Sequence, residues 1–235
     1  MDPNGKIIVA LDMNSLEKAK PLVESLAPHV ACFKVGLELI TAVGSEPLVR
    51  FIHSAGSKVF YDGKFNDTPN TIRNATKIVA NLNVKMFNVH ASAGIEAMRA
   101  AVDNKGHSRV LAVTVLTSLE EDIGHMIFGS PIKAKVLQLA RDAKLAGCDG
   151  IVCSPQELLF LRKHSEISGL IKITPGIRPK WADHGDQKRV MTPGEAIKAG
   201  STAIVVGRPV TQPPMKVGTS VDAVRKIADE IANVL

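Results

Sequence analysis

The sequence is poor in aromatic residues and cysteines, and it contains no long hydrophobic run. Its 235 residues include seven Phe, one Trp and one Tyr, so a large core must be built mainly from Val, Ile, Leu and Ala. Three cysteines, Cys32, Cys148 and Cys153, are too few for a disulfide scaffold and indicate a reduced, cytosolic protein. Cys148 and Cys153 lack the second pair of ligands that a zinc site needs. No stretch approaches the roughly 20 apolar residues of a membrane span, so no membrane partner is expected.

Basic residues outnumber acidic ones, 29 to 23, which gives a net charge of +6 at pH 7. This surplus favours an anionic partner, either a nucleic acid or a phosphorylated small molecule, although a basic surface also serves solubility alone. The hydrophobic fraction of 45% and the charged fraction of 22% are those of an ordinary globular protein. The first residues, MDPNGKIIVALD, have no basic region followed by an apolar run and a cleavage site, so no targeting segment is expected.

Short apolar runs rich in β-branched residues recur at fairly even intervals, as is typical of strands buried on both faces. The runs are 7–11, 30–35, 57–62, 85–90, 109–116, 149–154, 170–176 and 202–207. Helical patterns are 15–27 with Ser15 as the N-cap, 69–82, 93–103, 130–146, 155–163, 192–199 and 222–234. This alternation predicts an α/β protein with a parallel sheet. No Gly-rich dinucleotide fingerprint follows the first run, and eight units match barrel closure. We therefore predict a single-domain (β/α)8 TIM barrel over residues 1–235 rather than an open, doubly wound sheet.

Polar residues stand where the predicted strands end, which is where barrel enzymes place their chemistry. In the densest segment, YDGKFNDTPNT (61–71), Asp62 and Lys64 are two residues apart and would project to the same side of an extended strand. With Lys34 on the preceding strand and Asp67 beyond, they would form an alternating set of charges. At an effective dielectric near 20, a pair 4 Å apart is worth on the order of 4 kcal/mol before desolvation. The set is either catalytic or a structural ion-pair network at the barrel mouth.

The loops after the seventh and eighth strands have the features of a phosphate site. Gly207 and Arg208 end the eighth strand, where barrels often bind phosphate through backbone N–H groups and a guanidinium. A surface arginine in a turn is the alternative. The polar insertion 177–191 adds Arg178 and Gln187, and its length is typical of an active-site lid.

These residues belong to a series of motifs that resembles one family, the orotidine 5′-monophosphate decarboxylases, which catalyse the last step of de novo UMP synthesis. The motifs are FKVGLEL (33–39), D-x-K-x-x-D-x-P-N-T (62–71), NVHAS (88–92), AVTVLTS (112–118), AGCDGIVCS (146–154), TPGIRP (174–179), DQKRVMTP (186–193) and VVGRPVTQ (205–212). The D-x-K-x-x-D pattern alone is shared with sugar-phosphate enzymes, whereas the whole set in this order is specific. The similarity covers essentially the whole chain.

The resemblance implies a role for each matching residue. Lys64 would be the general acid that protonates the ring carbon after carbon dioxide leaves, with Asp62 beside the substrate carboxylate. Lys34 would hold Asp62 and contact the ribose. Asp67 would enter the active site of the partner subunit, which implies a homodimer with shared sites. The substrate-binding set would be Asp12, Lys34, Asp62, Thr71, Thr117, Arg178, Gln187, Gly207 and Arg208. In this set Asp12 would bind ribose hydroxyls, Thr71 would act in trans, Thr117 would lie near the pyrimidine, and Gln187 and Arg208 would bind phosphate.

Neither a metal nor a cofactor is expected. Loss of carbon dioxide leaves a carbanion without a conjugated electron sink, and the sequence contains no cofactor motif. A fixed ammonium such as that of Lys64 is the direct way to stabilise this charge. Three positions depart from the family pattern: Gly63 replaces a large apolar residue, Asn66 replaces His and Thr68 replaces Ile. We expect Gly63 to loosen the strand and Thr68 to alter packing near the pyrimidine at the dimer boundary.

Three other functions compete with this interpretation. Magnesium-dependent sugar-phosphate decarboxylases and synthases share D-x-K-x-x-D but typically carry a glutamate ligand where Lys34 stands, and a lysine there opposes cation binding. A nucleic-acid-binding protein would fit the charge, yet the basic residues are spread along the chain without an aromatic RNA-binding motif or a zinc finger. An inactive phosphate-binding barrel would not need the complete set of charges. The expected partner is therefore orotidine 5′-monophosphate, with no nucleic acid.

Overall fold

A computed structural model describes residues 2–183 and 190–235 of the chain. Eight parallel strands pair in sequence order, and the last pairs with the first to close a barrel. The strands are β1 (Ile7–Ala10), β2 (Cys32–Val35), β3 (Val59–Phe65), β4 (Met86–His90), β5 (Arg109–Val113), β6 (Gly150–Val152), β7 (Ile171–Thr174) and β8 (Ala203–Val206). The predicted α/β class and (β/α)8 barrel are thus confirmed.

Helices form the outer layer of the barrel. They are α1 (Leu16–Leu26), α2 (Leu37–Val43), α3 (Ser45–Ser54), α4 (Pro69–Asn81), α5 (Ile95–Val102), α6 (Glu121–Phe128), α7 (Ile132–Ala146), α8 (Leu158–Leu161), α9 (Pro193–Ala199), α10 (Arg208–Thr211) and α11 (Ser220–Ala232). Ser15 caps α1 as predicted, because its hydroxyl oxygen accepts a hydrogen bond from the Lys18 amide. Gly44 separates α2 from α3 with a φ of 87°, a conformation that glycine adopts at little cost. Among the described helices, none has the length and apolar content to cross a bilayer.

Strand residues pack alternately into the barrel and against the helices, because successive side chains of a strand point in opposite directions. Ile8, Phe60 and Leu111 belong to the smaller cluster inside the barrel, whereas Phe33 and Phe87 belong to the larger cluster under the helices. Branched aliphatic residues supply most of both clusters, as the composition predicts. Three of the seven phenylalanines, Phe33, Phe60 and Phe87, are nevertheless the largest fully buried side chains.

The end of β3 departs from regular pairing with β4. Tyr61 pairs with Phe87 and Phe65 pairs with Val89, so four positions along β3 span two along β4. Lys64 lies in this irregular segment with a φ of 49°. This value falls in the left-handed region, which residues other than glycine rarely adopt. The predicted strand 57–62 therefore continues to residue 65 and carries Asp62 and Lys64 to the barrel mouth.

Candidate active site

Lys34 joins two carboxylates at the carboxyl ends of the first three strands. Its Nζ atom lies 3.0 Å from Asp12 Oδ1 and 2.9 Å from Asp62 Oδ2. Lys64 Nζ lies 2.8 Å from Asp62 Oδ1, on the other side of the same carboxylate. The Asp62 side chain is only 8% exposed, whereas that of Asp12 is 59% exposed. The four side chains form a row of alternating charges with its most buried member near the middle.

The row keeps its two central members ionised. Burial by itself would raise the pKa of Asp62, but Lys34, Lys64 and the hydrogen bond from Asn88 lower it below the usual range. Burial would likewise lower the pKa of Lys34, and the attraction of Asp62 and Asp12 raises it instead. Within the described ranges, no group of three or more His, Cys, Asp or Glu is arranged to hold a metal ion. The carboxylates of Asp12 and Asp62 are bridged by an ammonium group.

Asn88 is a member of the site that the sequence motifs do not single out. It lies on β4 and is 1% exposed. Its Nδ2 atom donates to Asp62 Oδ1 at 2.6 Å, and its Oδ1 atom accepts from the backbone N–H of Lys64 at 2.7 Å. The NVHAS motif contains this residue, but no property of the sequence reveals that its amide reaches across to β3.

One cavity of about 470 Å³ opens beside the row of charges, a size typical of small-ligand sites. It is lined by eight of the eleven predicted site residues: Asp12, Lys34, Asp62, Lys64, Thr117, Arg178, Gly207 and Arg208. These residues come from six of the eight strands or from the loops that follow them. Closure of the barrel therefore brings together positions that are up to 196 residues apart in the sequence.

Two arginines define the part of the cavity formed by the seventh and eighth loops. Arg178 is 8% exposed, and its guanidinium donates to the carbonyl oxygen of Ile177 at 3.0 Å. Burial and the neighbouring positive charge of Arg208 both lower the pKa of Arg178. A dianion placed between the two guanidinium groups would relieve this repulsion, so the chemistry of this end suits a phosphate group.

Comparison with known proteins agrees with this geometry. Residues 5–222 match the model of the orotidine 5′-phosphate decarboxylase / HUMPS family. The chain belongs to this family. It is similar to the orotidine 5′-phosphate decarboxylase of Syntrophomonas wolfei, with 42% identity over 98% of this chain and 99% of that protein. It is also similar to the enzyme of Geotalea uraniireducens, with 42% identity over 98% of this chain and 96% of that protein. The crystal structure of orotidine 5′-phosphate decarboxylase from Lactobacillus acidophilus superposes with a TM-score of 0.81 at 33% identity, over 96% of this chain and 98% of that chain.

The similarity to these relatives identifies the chain as an enzyme of the carboxy-lyase class. Two of the residues that its family resemblance singles out, Asp67 and Thr71, lie outside the cavity and are exposed. Asp67 Oδ1 accepts a hydrogen bond from the Thr68 amide at 2.6 Å, and Asp67 forms no salt bridge with any described residue. Asp67 is therefore not part of the row of charges within one chain, contrary to the expectation from spacing, and Asp12 is its fourth member. Gln187 lies outside the described residues.

The departure from the family pattern at Gly63 has a steric cause. A Cβ atom at this position would lie 2.6 Å from Cε1 of the Tyr61 ring, which is closer than any ordinary contact. The Tyr61 hydroxyl is in turn hydrogen-bonded to the Ser45 hydroxyl at 2.9 Å. Gly63 thus makes room for a ring whose hydroxyl is held by Ser45. The loosening of the strand expected at Gly63 stays a prediction, and the pairing of β3 with β4 is irregular from Tyr61 to Phe65. Asn66 and Thr68 are exposed, and the altered packing expected of Thr68 at a dimer boundary stays a prediction.

Proposed function

We propose that this chain, acting as one barrel domain over residues 1–235, converts orotidine 5′-monophosphate to uridine 5′-monophosphate and carbon dioxide without a cofactor. This reaction is the last step of de novo pyrimidine biosynthesis. The observation that carries the proposal is the position of Lys64, whose ammonium is paired with Asp62 on the wall of a cavity that also holds two arginines. A cation for the reacting carbon and a site for a phosphate are thus available in one cavity.

The proposed chemical step uses the Lys64 ammonium twice. When the bond between the ring carbon and the carboxylate breaks, its electron pair stays on the ring carbon and carbon dioxide leaves. A positive charge already held in place stabilises this developing negative charge without reorganisation of solvent. One N–H proton of Lys64 then passes to the ring carbon, and the neutral amine recovers a proton from water. The product is uridine 5′-monophosphate, and no electron donor or acceptor is needed.

The carboxylate of Asp62 would lie beside the carboxylate of the substrate. Since Lys34 and Lys64 hold Asp62 ionised, the two carboxylates would repel each other before the reaction, and departure of carbon dioxide would relieve the repulsion. Lys34 holds Asp62 in place, and both would also contact the substrate. Asp12 is the most exposed member of the row, which suits a carboxylate that binds ribose hydroxyls.

The phosphate would bind at the opposite part of the cavity from the reacting carbon. Arg178 and Arg208 line this part, together with Gly207, and Gln187 is proposed to join them. Binding energy released far from the reacting carbon can be used to organise the site for the transition state, which raises kcat rather than only lowering KM. Thr117 lines the cavity from the loop after β5 and is proposed to lie near the pyrimidine ring.

We also propose a homodimer with shared active sites. Asp67 and Thr71 are exposed on a single chain and lie outside its own cavity, as residues that act on a neighbouring subunit would. The proposed location is the cytoplasm, which suits three cysteines that are all buried and unpaired. The partner is the nucleotide substrate, and no nucleic acid or membrane is part of the proposal.

A magnesium-dependent sugar-phosphate reaction would need the carboxylates of the site to bind a divalent cation. Lys34 Nζ stands within 3.0 Å of both Asp12 and Asp62, and an ammonium in that position repels a cation. The same contacts therefore favour the cofactor-free decarboxylation over the magnesium-dependent alternative.

The test is the loss of orotidine 5′-monophosphate absorbance with purified protein, measured with and without a chelator. We expect turnover that a chelator leaves unchanged. Lys64→Ala should lower kcat by at least about 10³-fold because it removes both the charge and the proton. Lys133→Ala, which removes an exposed lysine of α7, is the matched control and should keep full activity. Circular dichroism and gel filtration should show the same fold and dimer for both variants, and near-normal turnover of Lys64→Ala would refute the proposal.

A further inference from the structure

Asn88 connects the two functional groups at the end of β3. Its amide group lies against the cavity and is almost completely buried. One end of the amide donates to the Asp62 carboxylate, and the other end accepts from the backbone of Lys64. Both of its hydrogen-bond partners therefore belong to the row of charges, and the two bonds need an amide in one orientation, because Lys64 N–H is a donor and the ionised carboxylate is an acceptor.

The bond to Lys64 replaces a bond of the sheet. The pairing between β3 and β4 is interrupted from Tyr61 to Phe65, and the Lys64 N–H that lies in this gap is directed at a side chain instead of a backbone carbonyl. Lys64 also has a φ of 49°. Such a backbone conformation persists only where the surroundings impose it. The Asn88 side-chain oxygen helps to impose it, because it accepts a hydrogen bond from the backbone N–H of Lys64 itself.

The bond to Asp62 sets the rotation of its carboxylate. Oδ1 accepts from Asn88 Nδ2 at 2.6 Å and faces Lys64 Nζ at 2.8 Å, while Oδ2 faces Lys34 at 2.9 Å. A carboxylate rotated away from this orientation would lose at least one of these contacts. Asn88 therefore helps to hold the plane of the carboxylate so that one oxygen faces each lysine.

We propose that Asn88 is a positioning residue for the decarboxylation, which holds the Asp62 carboxylate and the Lys64 backbone so that the Lys64 ammonium points at the reacting carbon. This inference rests on the proposed function. It assigns no contact between Asn88 and the substrate, so its loss should affect the chemical step more than substrate binding.

Two substitutions separate positioning from mere burial of a polar group. Asn88→Leu has a similar volume but makes neither hydrogen bond. We expect its kcat to fall by at least about tenfold while KM changes by less than about threefold, since Asn88 lies on β4 whereas the arginines proposed to bind phosphate follow β7 and β8. Ser108→Ala removes a buried hydrogen bond to the Val84 carbonyl at the other end of the strands and is the matched control, with an unchanged kcat.

Asn88→Asp supplies a second readout because it keeps the size and the oxygen that accepts from Lys64. The new carboxyl group would face Asp62 Oδ1 at hydrogen-bond distance, and two carboxyl groups this close share one proton. When protonated, the new group donates to Asp62 as the amide does. The kcat of this variant relative to the original protein should therefore rise as the pH falls, whereas the ratio for Asn88→Leu should stay flat. The other charged or titratable groups nearby are Lys34, Asp62, Lys64 and His90. Taking ratios removes the pH dependence that the two proteins have in common, whereas Asp62 shares its proton with the new carboxyl group and takes part in the expected effect.

An unchanged kcat for Asn88→Leu, or a flat kcat ratio for Asn88→Asp, would overturn the inference. Crystal structures of both variants give a test that does not depend on activity. We expect the Lys64 Nζ to Asp62 Oδ1 contact of 2.8 Å to be lost in Asn88→Leu and kept in Asn88→Asp at low pH. If the original protein fails to decarboxylate orotidine 5′-monophosphate, the proposed function is wrong, and an unchanged contact in Asn88→Leu separately rejects the positioning role.

Discussion

Replacing Lys34 by methionine tests how much the ion pairs of Lys34 with Asp12 and Asp62 contribute to the stability of the protein. Methionine keeps most of the apolar stem of lysine and removes the ammonium. The two contacts that would be lost, to Asp12 and Asp62, are 3.0 and 2.9 Å long. At an effective dielectric of 20, each corresponds to roughly 5 to 6 kcal/mol of attraction before desolvation. Removal of one partner from a buried ion pair typically costs about 3 to 5 kcal/mol of stability. Because Asp62 keeps Lys64 as a partner, we expect the lower end, about 3 kcal/mol at pH 7.

The pH dependence of this loss follows from the directions of the two pKa shifts. The pKa of Asp62 is lowered by folding, so its contribution is present above the unfolded value of about 4 and is lost as the pH falls through the folded value. The pKa of Lys34 is raised, so its contribution is present below the unfolded value of about 10.4 and is lost as the pH rises through the folded value. The difference in the free energy of unfolding should therefore be constant between about pH 6 and pH 9 and should shrink in acid.

Urea denaturation followed by circular dichroism, at one fixed protein concentration and several pH values, measures this difference. Arg50→Gln is the control. Its guanidinium lies 2.7 Å from Glu46, but the two side chains are 78% and 60% exposed, so its loss should cost less than about 1 kcal/mol. A difference for Lys34→Met that equals the control, or one that does not shrink as the pH falls below about 4, would contradict the argument.

Two further predictions concern β3 and the subunit boundary. Gly63→Ala should lower the free energy of unfolding by about 1 to 3 kcal/mol in urea, because the added Cβ would overlap the Tyr61 ring, and unchanged stability would mean that the ring moves freely. Mixing Lys64→Ala with Asp67→Ala subunits should restore activity to the heterodimer, since one of its two sites would then have both groups intact. Mixtures that stay as inactive as either variant alone would count against action of Asp67 in trans.

The order of strands could be predicted because each strand of a parallel barrel is buried on both faces and therefore reads as a continuous apolar run. The pattern does not predict α2, α3, α6 and α10. Of these, α3 buries Leu48, Val49 and Ile52, whereas α2 and α6 have little apolar face toward the core. Leu39 is the only buried residue of α2, and Gly124 is the only one of α6. Met126 and Ile127 of α6 are exposed instead, so the apolar residues of that helix do not indicate which side faces the core.

The motifs identified the charged residues of the site, but spacing along the chain misjudged one of their contacts. Asp67 lies only five residues beyond Asp62, yet it is exposed and bonds to the Thr68 amide. Asp12 lies 22 residues before Lys34 and is its direct partner. Two charged residues are in contact when the ends of their strands lie side by side. Their separation along the sequence does not predict this.

The sequence by itself determined the order of the strands, the family and the residue types that carry the chemistry. These are local properties, since they depend on apolar periodicity and on motifs a few residues long. The tertiary structure alone decided the orientation of those residues. The Asn88 amide reaches Asp62 and Lys64 because β4 pairs with β3 out of register, and Gly63 is needed because the Tyr61 ring occupies the space of a side chain. Both depend on the position of atoms on neighbouring strands, which closure of the barrel sets and which no short segment of sequence encodes.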